Sequence, residues 1–214
     1  MDQTSPHPRL RHLPRALTLL AGNVVGLALA LAPAASAEAA VISTTPCSSP
    51  LVAQPFAPWG DSHDYELVAG STFAAGAPGW KLSGGATTIA GGPPFTVAGG
   101  SNSSALYLPA GASAQSPLTC VNAAYPTLRL FARNNTLTSS LVVQVLYQEP
   151  VIGLVTLPVG ATAFSSSWEP TSPMPTLAAV AGALGGGTAQ VSLRFTAVGG
   201  ASEIDDVFID PRHW

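Results

Sequence analysis

The sequence predicts an all-β protein, a sandwich of two antiparallel sheets in the jelly-roll manner. Three observations predict it. Beyond the N-terminal leader, no stretch keeps an apolar period of about 3.6 residues over about eleven residues, as an amphipathic helix would. Short segments of alternating or β-branched character recur, with Gly, Pro and Asn between them. No segment repeats at a fixed period, as a solenoid or propeller would require.

Residues 1–37 read as a secretory signal. Arg9, Arg11 and Arg15 form a positive start, and residues 16–32 are apolar except for Thr18, Gly22, Asn23 and Gly26. Pro33 and then Ala35, Ser36 and Ala37 supply small residues for cleavage. The cut is expected after Ala37, with Ala39 as the alternative. An apolar run of about 17 residues is short for a membrane span, so no span is expected after cleavage. The remaining 177 residues suit one domain with a sizeable core. They keep five of the eight basic residues and ten of the eleven acidic ones, for a net charge of −5. Nucleic acid is thereby excluded as a partner, because phosphate binding needs Lys and Arg in number and Lys81 is the only lysine. The Ala, Gly and Arg bias points to a high-GC bacterial genome. Cys47 and Cys120 both lie in the exported part, where an oxidising compartment favours one disulfide. Closing so long a loop would stabilise by roughly 4 kcal/mol on the chain-entropy model. Two free thiols are the alternative. Neither cysteine stands in a C-x-x-C or near a histidine, which argues against catalytic use.

Residues 38–55, rich in Ala, Ser, Thr, Pro and Val, read as an extended lead-in that Cys47 would pin to the body. The sandwich domain is expected over residues 56–214. Two prolines around Phe56 and Trp59 argue against helix and suggest an extended segment that docks an aromatic. Asp61, Ser62, His63 and Asp64 form the most polar patch. They could ligate a metal, but His213 is the only other histidine of the domain, so the expected structure is a turn in which Asp61 and Ser62 bond their own backbone. Strands are expected at 65–68, 80–82, 86–89 and 104–108. Alternation is clearest at 127–133 and 141–148, followed by a strand at 153–159. Residues 164–175 read as a loop with Trp168, and 177–184 as a short apolar segment. A closing hairpin is expected, with strands 191–197 and 203–210 joined by Gly199, Gly200, Ala201 and Ser202.

Three stretches resemble the galactose-binding-like and carbohydrate-binding-module-like jelly-roll domains. They are the run from Leu67 to Gly76 followed by Trp80; the Ser116-Pro117-Leu118-Thr119-Cys120-Val121 run into paired strands; and Ile204-Asp205-Asp206-Val207-Phe208-Ile209, which looks like the last strand of these sandwiches. Together they span most of residues 56–211, and they look most like solitary secreted versions. The resemblance implies a jelly roll and a binding role. Many such domains hold a structural calcium ion with a Glu after the Phe and an Asp from the last strand. Here Ala74 follows Phe73, so the implied site lacks a carboxylate that calcium would use, and no metal or other cofactor is expected.

Catalytic patterns are sparse. Asp205 and Asp206 are adjacent on a strand, so regular alternation sends them to opposite faces and they cannot flank one substrate. His63 is the only base for a Ser-His-acid site, and no Gly-x-Ser-x-Gly elbow is present. The glycines of 182–187 lack the Lys and helix of a phosphate loop. A surface is the better signal. With Leu128, Val143, Val145, Leu193 and Phe195 inward, three strands would turn Arg129, Phe131, Arg133, Gln144, Gln148 and Arg194 outward, and neighbouring strands would gather them on one face. Arg and Gln can bond hydroxyls or carboxylates, and Trp168 and Tyr107 are further stacking candidates, whereas Trp80 is expected in the core. The reading is a secreted, non-catalytic module for extracellular or cell-wall carbohydrate. A structural surface protein with no small ligand is the alternative, and a hydrolase using loop acids around Glu149 and Glu169 is the second.

Overall fold

A computed structural model describes residues 42–43, 51–97, 103–122, 127–149, 153–162, 165–176 and 188–210, all within the compact unit 38–214. The leader, Cys47 and the glycines of 182–187 lie outside the described residues. In chain order the strands are β1 (Ile42–Ser43), β2 (Val52–Ala53), β3 (Tyr65–Leu67), β4 (Lys81–Ser83), β5 (Thr87–Ala90), β6 (Ser104–Leu108), β7 (Ser113–Gln115) and β8 (Thr119–Asn122). They continue as β9 (Thr127–Asn134), β10 (Ser140–Glu149), β11 (Gly153–Ala161), β12 (Glu169–Pro170), β13 (Met174–Pro175), β14 (Thr188–Val198) and β15 (Ser202–Ile209).

The strands form two antiparallel sheets. Sheet I runs β11-β10-β14-β7-β4, with β1 and β8 pairing to the first part of β14. Sheet II runs β12-β9-β15-β3-β2, with β13 on β9 and with β6, followed by β5, on β15. The core lies between them. Sheet II supplies Leu128, Leu130, Ile204, Val207 and Ile209; sheet I supplies Leu141, Val143, Val145, Leu193 and Phe195; all ten are fully buried. Each such side chain stabilises the fold by roughly 1.5–3 kcal/mol through burial. Trp80 joins this core, edge-on to Phe73 and stacked on Phe195, with its indole N–H donated to the Ala69 carbonyl at 3.0 Å. This is the jelly-roll sandwich that the alternation predicts.

The closing hairpin is not a hairpin. β14 pairs with β10, β7, β8 and β1, while β15 pairs with β9, β6 and β3, so the turn at 199–201 carries the chain from one sheet to the other. β9 and β10 are likewise sequential but lie in different sheets. These two crossings meet at one end of the sandwich. The Asn135 amide donates to the Ala201 carbonyl at 3.0 Å, and the Thr138 hydroxyl to the Gly199 carbonyl at 2.9 Å. Gly199 has φ 72°, and a Cβ there would run into the Thr138 carbonyl; one at Gly200 would meet the Ser139 and Thr136 hydroxyls. Only glycines allow so close a backbone approach in that conformation.

Candidate functional site

The two outer faces of the sandwich differ in kind. On sheet II, Arg129, Phe131 and Arg133 do turn away from the core, yet Phe131 is fully buried and Arg129 nearly so. A second aromatic cluster of Phe56, Tyr65, Phe131 and Phe208 lies on this face. The segment around a single 3₁₀ turn, Ala57–Trp59, lays Phe56 and Trp59 onto it, in place of the extended segment expected there. Phe131 has Phe56, Trp59 and Phe95 at ring distances of 5.2, 5.3 and 5.0 Å. Alternation correctly assigns these side chains to the non-core face, but it cannot show that the face has a cover.

Asp61 fastens that cover. Its carboxylate accepts from the Arg129 guanidinium at 2.5 Å, the Tyr65 hydroxyl at 2.8 Å and the His63 backbone N–H at 3.2 Å, and its Oδ1 lies 2.7 Å from His63 Nδ1. Burial alone would raise the Asp61 pKa, but the bonds from Tyr65, His63 and Arg129 outweigh it and hold the carboxyl at about 2. Tyr65 is pushed up to about 12, by burial first and then by its bond to Asp61 and that carboxylate's charge. Arg129 also donates Nε–H to the Thr171 carbonyl at 2.8 Å and lies 4.2 Å from the Phe56 ring centre. The expected turn at Asp61 is present, and it is a latch as well.

Arg133 sits at the margin of this face. It donates to Glu203 through Nε at 2.8 Å, with Nη2 2.7 Å away, and stacks 5.3 Å from Trp168. Tyr107 stands opposite Glu203 in register and is half-buried. A groove of about 360 Å³ opens beside Arg133, between Val159, Glu169, Thr171 and Met174.

Gln144, Gln148 and Arg194 are on the other sheet, so the eight candidate residues do not share one face. On sheet I, Gln144, Arg194, Gln115 and Lys81 stand opposite one another across β10, β14, β7 and β4. Their strand neighbours Val143, Val145, Leu193, Phe195 and Ala114 are buried in the core, which turns this row outward. Arg194 donates Nη2–H to Gln115 Oε1 at 3.1 Å. Lys81 is exposed and the other three half-buried. A parallel row runs Thr196, Ser113, Ser83, with the two serine hydroxyls 2.9 Å apart. Gln148 lies further along β10, past buried Leu146 and Ser192, where the face closes. Lys81 and Gln115 are the site residues that sequence reasoning missed. Their signal was slight: a lone lysine and a lone glutamine on three-residue strands.

Asp205 and Asp206 depart from the expected alternation. A bulge between Asp205 and Phe208 interrupts the β9 ladder, Asp206 is left-handed at φ 45°, and both side chains are buried. Neither acid is solvated. Burial, and for Asp205 the neighbouring charge of Asp206, pushes their carboxyls up to about 8 and about 6. Asp205 Oδ1 accepts the Asp206 N–H at 3.0 Å, while Asp206 Oδ2 is buried without a partner. The loop that packs on this bulge is closed by its own hydrogen bonds. Val68 accepts from Ser71 N–H, Ala69 from Trp80, Gly70 from Phe73 N–H, Ser71 from Asp206 N–H and Phe73 from Gly76 N–H. Among the described residues no three His, Cys, Asp or Glu side chains gather as a metal group, and calcium takes about six to eight oxygens.

Of the carboxylates offered for hydrolysis, Glu169 is on β12, paired with β9 in sheet II, and Glu149 ends β10 in sheet I. Glu169 lies by the groove with Ala161, and Ala161 pairs with Val142, seven residues from Glu149 along β10. Seven strand residues span roughly 23 Å, so Glu149 and Val142 stand near opposite ends of β10. No free cysteine occurs among the described residues, Cys120 on β8 included. No helix among the described residues is long and apolar enough to cross a membrane.

No family model matches the chain, and no curated protein matches it. Solved structures do. The CBM22-1 and GH10 modules of a Clostridium thermocellum endo-1,4-β-D-xylanase, complexed with xylohexaose, match with a TM-score of 0.48 at 14% identity, over 69% of this chain and 29% of that one. The chain thus spans under a third of that protein. A CBM22-1 xylan-binding domain from Paenibacillus barcinonensis matches with a TM-score of 0.45 at 11% identity, over 70% of this chain and 97% of that one. A family 61 carbohydrate-binding module in complex with β-1,4-galactotriose matches with a TM-score of 0.39 at 13% identity, over 68% and 97%. At these identities the likeness is one of fold.

Proposed function

We propose that the protein is an exported, non-catalytic carbohydrate-binding domain whose ligand lies across the outer face of sheet I. The row of Gln144, Arg194, Gln115 and Lys81 carries this reading. Four polar side chains in one register offer amide, guanidinium and ammonium donors together with amide acceptors, the set that sugar hydroxyls and carboxylates pair with. The Arg194–Gln115 bond holds two of them before any ligand arrives, which lowers the ordering cost of binding. Five strands give the face a width of roughly 19 Å, suited to an extended polymer rather than a compact metabolite. On sheet II the corresponding surface is taken up by Phe56, Trp59 and Phe95.

Native affinity electrophoresis against a panel of soluble polysaccharides tests it. Retardation by at least one polymer is expected. Arg194→Ala, which removes a charged hydrogen-bond donor worth about 1.5–3 kcal/mol, should weaken it by about tenfold or more. Unchanged mobility across the panel would retire the proposal. Export and a Cys47–Cys120 disulfide belong to the same reading, the second supported by the absence of a free thiol at Cys120. Intact mass of the exported chain should show a start after Ala37 or Ala39 and two hydrogens fewer than the reduced form; a full-length or fully reduced chain would contradict it.

A further inference from the structure

We propose that the polymer bound on sheet I carries carboxylates, as a polyuronate does; this rests on the carbohydrate-binding reading above. The described basic residues are Lys81, Arg129, Arg133 and Arg194. Arg129 is paired with Asp61 and Arg133 with Glu203. Lys81 and Arg194 have no carboxylate partner among the described residues, and both stand in the same row of the same face. Gln115 lies between them, which places the two cations two strands, roughly 10 Å, apart.

Acids are sorted the other way. The strands of sheet II contain Glu66, Glu169, Glu203, Asp205 and Asp206. The seven strands of sheet I contain one, Glu149, at the end of β10 and five residues, roughly 17 Å, from Gln144. A chain that is negative overall therefore presents a positive stripe on the outer face of sheet I. Arg194 occupies the Gln115 carbonyl oxygen, leaving the amide NH₂ of Gln115 as a donor between the two cations. Donors predominate in the stripe, with two of them cationic, and a ligand acceptor with negative charge satisfies it best. A neutral glycan covering Lys81 and Arg194 would take two cations partly out of water with no counter-charge in return. Two cations are also far too few for phosphate-driven binding to nucleic acid.

The test is affinity electrophoresis in polygalacturonate, alginate and glucuronate-substituted xylan, each beside its fully methyl-esterified form. Retardation by at least one acid form is expected, reduced at least tenfold by esterification. It should fall steeply at roughly 0.5 M NaCl, where screening acts within a few ångströms. Lys81→Gln combined with Arg194→Gln should abolish it and either single change should weaken it, while Arg133→Gln, a single loss of charge elsewhere, should leave it in place; circular dichroism verifies that each variant folds. Equal retardation by acid and esterified forms, or by a neutral galactan alone, overturns the carboxylate proposal and leaves carbohydrate binding standing. Retardation by none of these polymers overturns the carboxylate proposal, and with unchanged mobility across the wider panel of soluble polysaccharides it overturns both. Co-sedimentation with anionic lipid vesicles without retardation by any polyuronate would assign the stripe to a membrane surface and also overturn it.

Discussion

Raising the pH from 5 to 7 should destabilise this protein, because the fold holds a proton on the Asp205–Asp206 pair that the unfolded chain releases. Both carboxyls are raised in the fold, to about 8 and about 6, against about 3.9 for an unfolded Asp. Below about pH 4 both states are protonated, and the pair costs the fold nothing in ionisation. Above that, the unfolded chain binds fewer protons than the native one, so stability falls with pH until the folded carboxyls themselves ionise. One retained proton over two pH units corresponds to about 3 kcal/mol. For a domain of this size that lowers the midpoint by roughly 5–11 °C. Asp61 acts in the opposite sense: its carboxyl is lowered to about 2, so its contribution is lost only as the pH falls below about 4 and does not enter this window. The assay is thermal unfolding by circular dichroism at pH 5, 6 and 7 in chelator-treated buffer. Asp205→Asn keeps the acceptor for the Asp206 N–H and removes the titration, so it should cut the pH slope by more than half and melt above wild type at pH 7. A wild-type midpoint that is flat or rises over this range refutes the reasoning, as does a full slope in the variant. Added calcium should leave the midpoint unmoved; a rise would mean that a cation, rather than protons, neutralises the pair.

Gly199→Ala should destabilise by about 2 kcal/mol or more, from the left-handed backbone and the approach of the Thr138 carbonyl; a urea midpoint within error of wild type would show that the two crossings are not so closely packed. Arg129→Met should cost about 3–5 kcal/mol, since it leaves the partly buried Asp61 carboxylate without its cation. Trp59 fluorescence should shift as the cover over Phe131 loosens, and a variant with unchanged stability would count against Asp61 as the latch.

Much of the fold was legible because alternation is a local property. A pleated strand sends successive side chains to opposite faces whatever its partner. Leu128, Val143, Leu193 and Phe195 could therefore be assigned to the core before any pairing was known, and the long strands fall within about three residues of their expected ends. Turn chemistry at Asp61 was legible for the same reason, since its bond to the His63 N–H spans only two residues. Of the candidate row, Gln144 and Arg194 were legible in the sequence while Lys81 and Gln115 were not, and the constellation was not. Arg129, Phe131 and Arg133 were expected beside Gln144, Gln148 and Arg194, and they lie on opposite sides of the sandwich.

By itself, then, the sequence determined an all-β sandwich, its inward-facing residues and the scarcity of charge. Tertiary structure decided which strands are neighbours. Strand pairing is a non-local choice: Arg194 meets Gln115 across 79 residues and Asp61 meets Arg129 across 68, and nothing in a local period encodes which partner lies alongside. It decided that the last turn joins two sheets instead of two paired strands. It laid Phe56 and Trp59 over the outer face of sheet II and set the row of Gln144, Arg194, Gln115 and Lys81 on that of sheet I. The bulge that buries Asp206 also came from packing, because the loop at Ser71 competes for the backbone groups of Asp206 and Val207 that a regular ladder would have used.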